Sequence, residues 1–235
     1  MYKELAKYYD LIYSWKDYEK ETNKINKLIK NYKKSDGNKL LDVGCGTGKH
    51  LEYFKKRFSC TGIDLNEEMI SVAKNNISDV DFKPADMISF DLNDKFDVIT
   101  CLFSSIGYVE TYDNLEKTIL NFGKHLKSGG VLIIEPWFTK STYMVGNLGM
   151  TTYDGEDIKI ARLNTTALEK DLSVMKMHYL IIERDKDVKY FVDKHEVGLF
   201  EIDKFLEIMN NAGFKAKFLK DGLMKERGLY IGIKS

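Results

Sequence analysis

Residues 41–48, Leu41-Asp42-Val43-Gly44-Cys45-Gly46-Thr47-Gly48, constrain this chain more than any other segment. A short apolar strand ends in alternate glycines and passes directly into a helical pattern. Glycine lets a backbone turn sharply and approach a ligand closely. The helix that follows offers unpaired N–H groups and the positive end of its dipole. Dinucleotide enzymes use the same device in the form G-x-G-x-x-G. Here Lys49 stands at the third glycine position and the third glycine falls one place earlier, which counts against a pyrophosphate binder and a nicotinamide-dependent oxidoreductase.

The turn belongs to a longer alternation. Segments 39–43, 59–64, 80–83, 96–103 and 131–135 read as strands. Between them lie a helical segment with Leu51, Phe54 and Phe58 on one side, and a helix over 67–76. A third helix is opened by the capping-box spacing Asp113-Asn114-Leu115-Glu116 and stopped by Ser128-Gly129-Gly130. Ahead of them, Tyr18, Thr22, Ile25, Ile29 and Tyr32 make a helical stripe that Asp17 can cap. The pattern predicts an α/β fold with a parallel sheet covered on both faces. After Pro136 the period changes to two, as in Ile158, Ile160 and Arg162, which predicts an antiparallel meander over about 148–198. A helix over 201–211 and strands over 214–219 and 228–233 return to the first pattern. The expected organisation is one domain from 1–136 and 201–235, with 137–200 inserted as an antiparallel cap on the substrate side.

Composition narrows the function. Lys+Arg and Asp+Glu are both 36, so the chain lacks the basic excess of a nucleic-acid binder. No run reaches the ~18 apolar residues of a membrane span, and MYKELAKYYD is too polar for a signal peptide. A cytoplasmic protein is expected. Cys45, Cys60 and Cys101 have no metal spacing and read as small buried hydrophobes, so no metal site is expected. His50 and His125 fall in helical segments and are expected at the surface.

Several residues stand where ligands bind in open α/β sheets, beyond the strands' carboxyl ends. Asp64 ends the second strand, 20 residues after Gly44, where a carboxylate can accept from ribose hydroxyls. Asp86 can accept from an adenine amino group, and Met87 can cover a ring face. Tyr108 follows a later strand. Trp137 and Phe138 can stack on a sugar or base. Of only four arginines, Arg162 lies in the inserted sheet and Arg227 directly before the last strand. A planar guanidinium suits a diphosphate.

LDVGCGTG, GIDLNEEM, PADM, FDVITCLFSS and LKSGGVLIIE, in this order over residues 39–135, resemble the class I S-adenosylmethionine-dependent methyltransferase core. The resemblance implies a Rossmann-like seven-stranded sheet whose last strand runs antiparallel. Tyr9-Asp10-Leu11-Ile12-Tyr13, Lys16-Asp17-Tyr18, Phe103-Ser104-Ser105-Ile106-Gly107-Tyr108, Glu135-Pro136-Trp137 and Arg227-Gly228-Leu229-Tyr230 extend it. These are similar to N,N-dimethyltransferases of nucleotide-linked amino sugars, as are the positions of His178-Tyr179 and His195. The chain departs from that pattern at Phe138, where a second tryptophan is usual, and at Met224-Lys225-Glu226, where Pro-Ser-Gly is frequent.

The resemblance implies S-adenosylmethionine as cofactor, with S-adenosylhomocysteine as product, held by Tyr9, Tyr18, Gly44, Gly46, Asp64, Asp86, Met87 and Leu102. It places Tyr2, Trp137, Arg162 and Arg227 on the substrate. Tyr108 and His178 are the candidates for orienting the amine or relaying its proton, and a dedicated general base is not required. The expected reaction is N-methylation of a nucleotide-diphosphate-linked deoxy amino sugar, with neither nucleic acid nor membrane as partner; a homodimer is also compatible. The alternatives are another small acceptor (amine, carboxylate or hydroxyl) and a non-catalytic S-adenosylmethionine-binding module.

Overall fold

A computed structural model describes residues 5–235; Tyr2 lies outside the described residues. The chain opens with helices α1 (Ala6–Ile12) and α2 (Tyr18–Tyr32). It continues through β1 (Lys39–Val43), α3 (Leu51–Phe54), β2 (Ser59–Asp64), α4 (Glu67–Asn76), β3 (Asp81–Pro84) and β4 (Phe96–Cys101). A 3-10 turn, Ser105–Val109, leads to α5 (Tyr112–His125) and β5 (Leu126–Ile134). Strands β6 (Leu148–Asp154), β7 (Ile158–Glu169), β8 (Leu172–Glu183) and β9 (Lys189–Gly198) follow. The chain ends with α6 (Ile202–Asn211), β10 (Phe214–Leu219) and β11 (Leu229–Lys234).

Seven strands form one sheet in the order β10-β11-β5-β4-β1-β2-β3. Its core is parallel, and β11 runs antiparallel between β5 and β10, as the family resemblance implies. The central strands are apolar on both faces, so each face needs a cover. Leu41, Val43, Ile99, Leu132 and Ile134 pack towards α5 and α6, while Leu40, Val98, Val131 and Ile133 pack towards α2, α3 and α4. The four remaining strands form a separate antiparallel sheet, β6-β7-β8-β9, the meander that period two predicted. Its inner face packs Ile160, Met175, Met177, Tyr179 and Val197 on Leu5, Tyr8, Ile12 and Tyr13 of the N-terminal segment.

Local chemistry explains the boundaries. Asp17 caps α2 by accepting from Lys20 N at 2.9 Å, as expected. The cap of α5 is Thr111, whose hydroxyl accepts from Asn114 N at 3.2 Å; Thr111 is extended and Asp113 already lies in the first helical turn. Ser128-Gly129-Gly130 does not stop that helix, which ends at His125. The glycines instead shape an irregular start to β5, where Gly129 O accepts from Lys34 N at 2.7 Å and Ser35 N at 3.0 Å. His50 and His125 are buried, contrary to expectation. His50 Nε2 meets Glu21 Oε2 at 2.8 Å, and His125 Nδ1 meets Asn121 O at 2.9 Å. All three cysteines are buried and unpaired, and burial pushes the Cys60 thiol up to about 12.

Candidate active site

The carboxyl ends of β1, β2, β4 and β5 and the inner face of the small sheet enclose a cavity of about 950 Å³. Its floor is the glycine turn. Gly44 N and Cys45 N donate to Ile63 O at 2.8 and 3.0 Å, which folds the turn back on β2. Gly44 has φ +69°, and a Cβ there would stand 2.6 Å from Ser105 Cβ. Gly46 has φ +55°, and a Cβ there would meet nothing within 4 Å, so the turn presents bare backbone to open space.

Beside it, Asp64 Oδ2 accepts from Gly46 N at 2.8 Å and Oδ1 from Asn66 N at 2.9 Å. Asp64 is therefore not a helix cap. Asn66 caps α4 by accepting from Met69 N at 3.0 Å, which leaves Asp64 as a carboxylate on the cavity wall. Burial pushes its pKa above the usual carboxylate value. Asp86 Oδ1 accepts from Ile88 N at 2.8 Å, and Met87 Cε lies 3.8 Å from the position a Gly44 Cβ would take. Tyr9, Tyr18 and Leu102 complete this end. The set fits an adenosine: a ribose acceptor, an amino-group acceptor, a thioether for a ring face and backbone that a ligand can approach.

The other end is aromatic and basic. Trp137 Nε1 donates to Ser173 Oγ at 2.9 Å, which fixes the ring. The Arg227 guanidinium lies 4.3 Å from the Trp137 ring centre and 5.1 Å from that of Phe138, within cation–π range. Its Nη1 donates to Ser104 Oγ at 3.2 Å, while its buried Nε has no hydrogen-bond partner among the described residues. Arg162, from β7, donates to Tyr13 Oη and Thr151 Oγ1, both at 2.9 Å. Asn164 and Thr166 follow it on the same strand and also line the cavity. Behind this wall lies Glu135, whose Oε2 accepts from Phe103 N at 2.7 Å. Burial pushes its carboxyl pKa up, against the pull of Lys16 and Arg227.

Residues 40–130 match a family of methyltransferase domains. The chain is 33% identical, over 97% of its own length and 97% of the relative's, to dTDP-3-amino-3,4,6-trideoxy-alpha-D-glucopyranose N,N-dimethyltransferase of Streptomyces venezuelae. It belongs to the S-adenosylmethionine-dependent methyltransferases. It is also 33% identical to dTDP-4-amino-2,3,4,6-tetradeoxy-D-glucose N,N-dimethyltransferase of Saccharopolyspora spinosa, over 98% of this chain and 92% of that one. Among solved structures, DesVI of Streptomyces venezuelae superposes with a TM-score of 0.92 at 32% identity, covering 98% of both chains. CalS10 of Micromonospora echinaspora, an amino pentose methyltransferase solved with S-adenosylmethionine bound, superposes with a TM-score of 0.83 at 27% identity, covering 94% of this chain and 92% of that one.

In this methyltransferase the fold brings Tyr9, Tyr18, Gly44, Gly46, Asp64, Asp86, Met87, Leu102, Tyr108, Trp137, Arg162 and Arg227 to one cavity. His178 is the exception. Met177 and Tyr179 point inward from β8, so the alternation turns His178 to the outer face, where its Nδ1 meets Tyr190 Oη. The histidine that backs the site, behind Tyr108, is His195 on β9. Its Nδ1 lies 2.7 Å from Tyr108 Oη, and its Nε2 lies 3.2 Å from Asp193 Oδ2. Counting alternate positions back from the buried Val197 finds both His195 and Asp193. A second missed group is Glu21 with Lys16 and His50. Burial pushes the Glu21 carboxyl up, but hydrogen bonds and charge from those two partners hold it below its usual value. Nothing in the local sequence pairs Glu21 with His50, 29 residues further on.

Proposed function

We propose that this methyltransferase N-methylates the amino group of a nucleotide-diphosphate-linked deoxy amino sugar. Arg227 carries the reading. A guanidinium keeps its charge when buried, and this one lines the cavity on a shelf formed by Trp137 and Phe138. A largely buried cation calls for a counter-charge, and a phosphate oxygen supplies it. A free sugar offers no such anion. The full-length relatives, whose names specify dTDP-linked amino sugars, support the same choice.

Bound S-adenosylmethionine supplies a methyl group on a positively charged sulfur. Asp64 takes the ribose hydroxyls with the lone pairs its two backbone bonds leave. Asp86 accepts from the adenine amino group, Met87 covers the ring, and Tyr9, Tyr18, Gly44, Gly46 and Leu102 form the surrounding wall. Arg227 and Arg162 hold the diphosphate, and Trp137 packs on the sugar. Entry into this enclosed site favours the neutral amine that can attack. Holding the nitrogen in line with the methyl accounts for much of the rest, since orientation is worth ~7–11 kcal/mol in favourable cases. Segment 137–200 acts as the substrate cap. Such a small-molecule enzyme has no call for nucleic acid, and unpaired thiols suit the cytoplasm.

The outer face of the small sheet fits a second copy of this chain. Met150, Leu163, His178 and Val192 stand in one row across its four strands, with Ala161, Leu180 and Tyr190 in the next. Exposed apolar patches of this kind mark association sites, and two such faces stack as sheet on sheet. For the acceptor, the test is transfer of labelled methyl to a dTDP-linked 3-amino sugar and to the same sugar without its nucleotide. The linked form should be strongly preferred. Arg227→Met keeps the stem on Trp137 and removes the charge; it should raise KM for the linked sugar roughly 10- to 100-fold, from a charge-assisted contact of about 1.5–3 kcal/mol. Equal turnover of the two sugars by the unaltered enzyme overturns the acceptor assignment.

A further inference from the structure

An amine reaches the site from water as an ammonium, and each methyl it gains leaves the nitrogen charged again, so a proton must leave the cavity. Three side chains form a line from the cavity wall outward. Tyr108 lines the cavity. Its hydroxyl lies 2.7 Å from His195 Nδ1, and His195 Nε2 lies 3.2 Å from Asp193 Oδ2. The His195 side chain is fully buried, whereas Asp193 retains 12% exposure. Close packing holds it together: a Cβ on Gly107 would come within 2.2 Å of Val197 Cγ1, so only glycine lets the 3-10 turn sit this near β9.

The chemistry sets a direction. A carboxylate beside Nε2 favours the imidazole tautomer with its proton there. Nδ1 then accepts and the Tyr108 hydroxyl donates. We propose that Tyr108, His195 and Asp193 are the proton exit for the acceptor nitrogen, with Tyr108 as the catalytic residue and His195 and Asp193 as positioning residues acting through it. The N–H bond of the ammonium breaks as a new O–H forms on Tyr108. The original Tyr108 proton passes to His195 Nδ1, and Asp193 balances the imidazolium until a proton leaves to water. No oxidant, reductant or further reactant enters. Among the described residues, Tyr9 lies near Tyr108 and Tyr179 lies near Asp193, while Lys194 and Glu196 flank His195 on its own strand. The role assigned to Tyr108 rests on the amine acceptor proposed above.

The test compares the unaltered enzyme with Tyr108→Phe, Asp193→Asn and the exposed α5 variant Lys117→Gln by single-turnover methylation of a dTDP-linked 3-amino sugar between about pH 6 and 9. General acid–base groups typically contribute about 100-fold or more. Tyr108→Phe should lose roughly that factor near neutral pH and recover towards the unaltered rate as pH rises and water removes the proton. Asp193→Asn should follow the same trend less steeply, and Lys117→Gln should match the unaltered enzyme. A loss that is equal at all pH values, or no loss, overturns the proposal. Nitrogen NMR of His195 gives a readout without turnover. The free enzyme should carry its imidazole proton on Nε2, and Tyr108→Phe should shift the Nδ1 resonance that the tyrosine hydroxyl reaches. A proton on Nδ1 in the free enzyme overturns the exit whatever the acceptor proves to be. Absence of methyl transfer to any amine by the unaltered enzyme overturns the acceptor instead.

Discussion

Replacing Asp64 with asparagine probes the cofactor end with almost no change of shape. The carboxylate accepts two backbone N–H groups, from Gly46 at 2.8 Å and Asn66 at 2.9 Å. In the amide, one of those oxygens becomes an NH2 group, and a backbone donor is left facing a donor. That mismatch should cost about 1–3 kcal/mol of stability. A ribose hydroxyl loses its charged acceptor as well, and hydrogen bonds to charged groups are worth about 1.5–3 kcal/mol. At about 1.4 kcal/mol per factor of ten, binding should weaken roughly 10- to 100-fold. Calorimetric titration with S-adenosylhomocysteine reads the affinity, and thermal unfolding reads the stability. A second signature is pH. Burial holds the Asp64 pKa above its ordinary value, so affinity for the cofactor product should fall as the pH drops through that raised pKa. Asp64→Asn should abolish this fall. A folded Asp64→Asn protein that binds S-adenosylhomocysteine as tightly as before would refute the ribose assignment.

Two further outcomes are expected. Asp42 is buried and accepts from Thr100 Oγ1 at 2.7 Å, and burial pushes its pKa from 3.8 up to about 6. Its contribution to stability is present below the ordinary value and lost as pH rises through about 6, a change of about 2–3 kcal/mol; Asp42→Asn should remove that slope, and urea unfolding at several pH values that finds it unchanged contradicts the assignment. Leu163→Lys places a charge in the outer apolar row and should convert a dimer to monomer with the cavity intact, as read by sedimentation; identical sedimentation of the two proteins contradicts the interface.

The cofactor end was legible because its chemistry is local. The glycine turn, Asp64 and the Asp86-Met87 pair each follow a strand directly, and a parallel α/β sheet gathers those carboxyl ends at one edge whatever the loops do. The acceptor end depends on a four-stranded sheet in which a shift of one position reverses a side chain. The resemblance pointed to His178 as the candidate and noted His195 only by its position; burial on β8 and β9 reverses them, because Tyr179 and Val197 fix which alternate positions face inward. The buried pairing of His50 with Glu21 was not legible for another reason. It joins α2 to the segment before α3, and neither stretch carries a sign of the other. The early start of β5 was hidden behind Gly129 and Gly130, which read as the end of a helix and prove to be an irregularity within a strand.

Helix α1 touches both the cavity and the small sheet. Tyr9 lines the cavity, whereas its neighbour Tyr8 is buried beneath the small sheet and donates to Glu183 Oε1 at 2.6 Å, at the far end of β8. A ligand seated against Tyr9 would therefore rest on the same short helix that packs beneath the small sheet. Two ligands sharing a support are linked reciprocally: whatever factor the first adds to the affinity of the second, the second returns to the first. In this chain the seven residues of α1 are the contact through which such a linkage would pass.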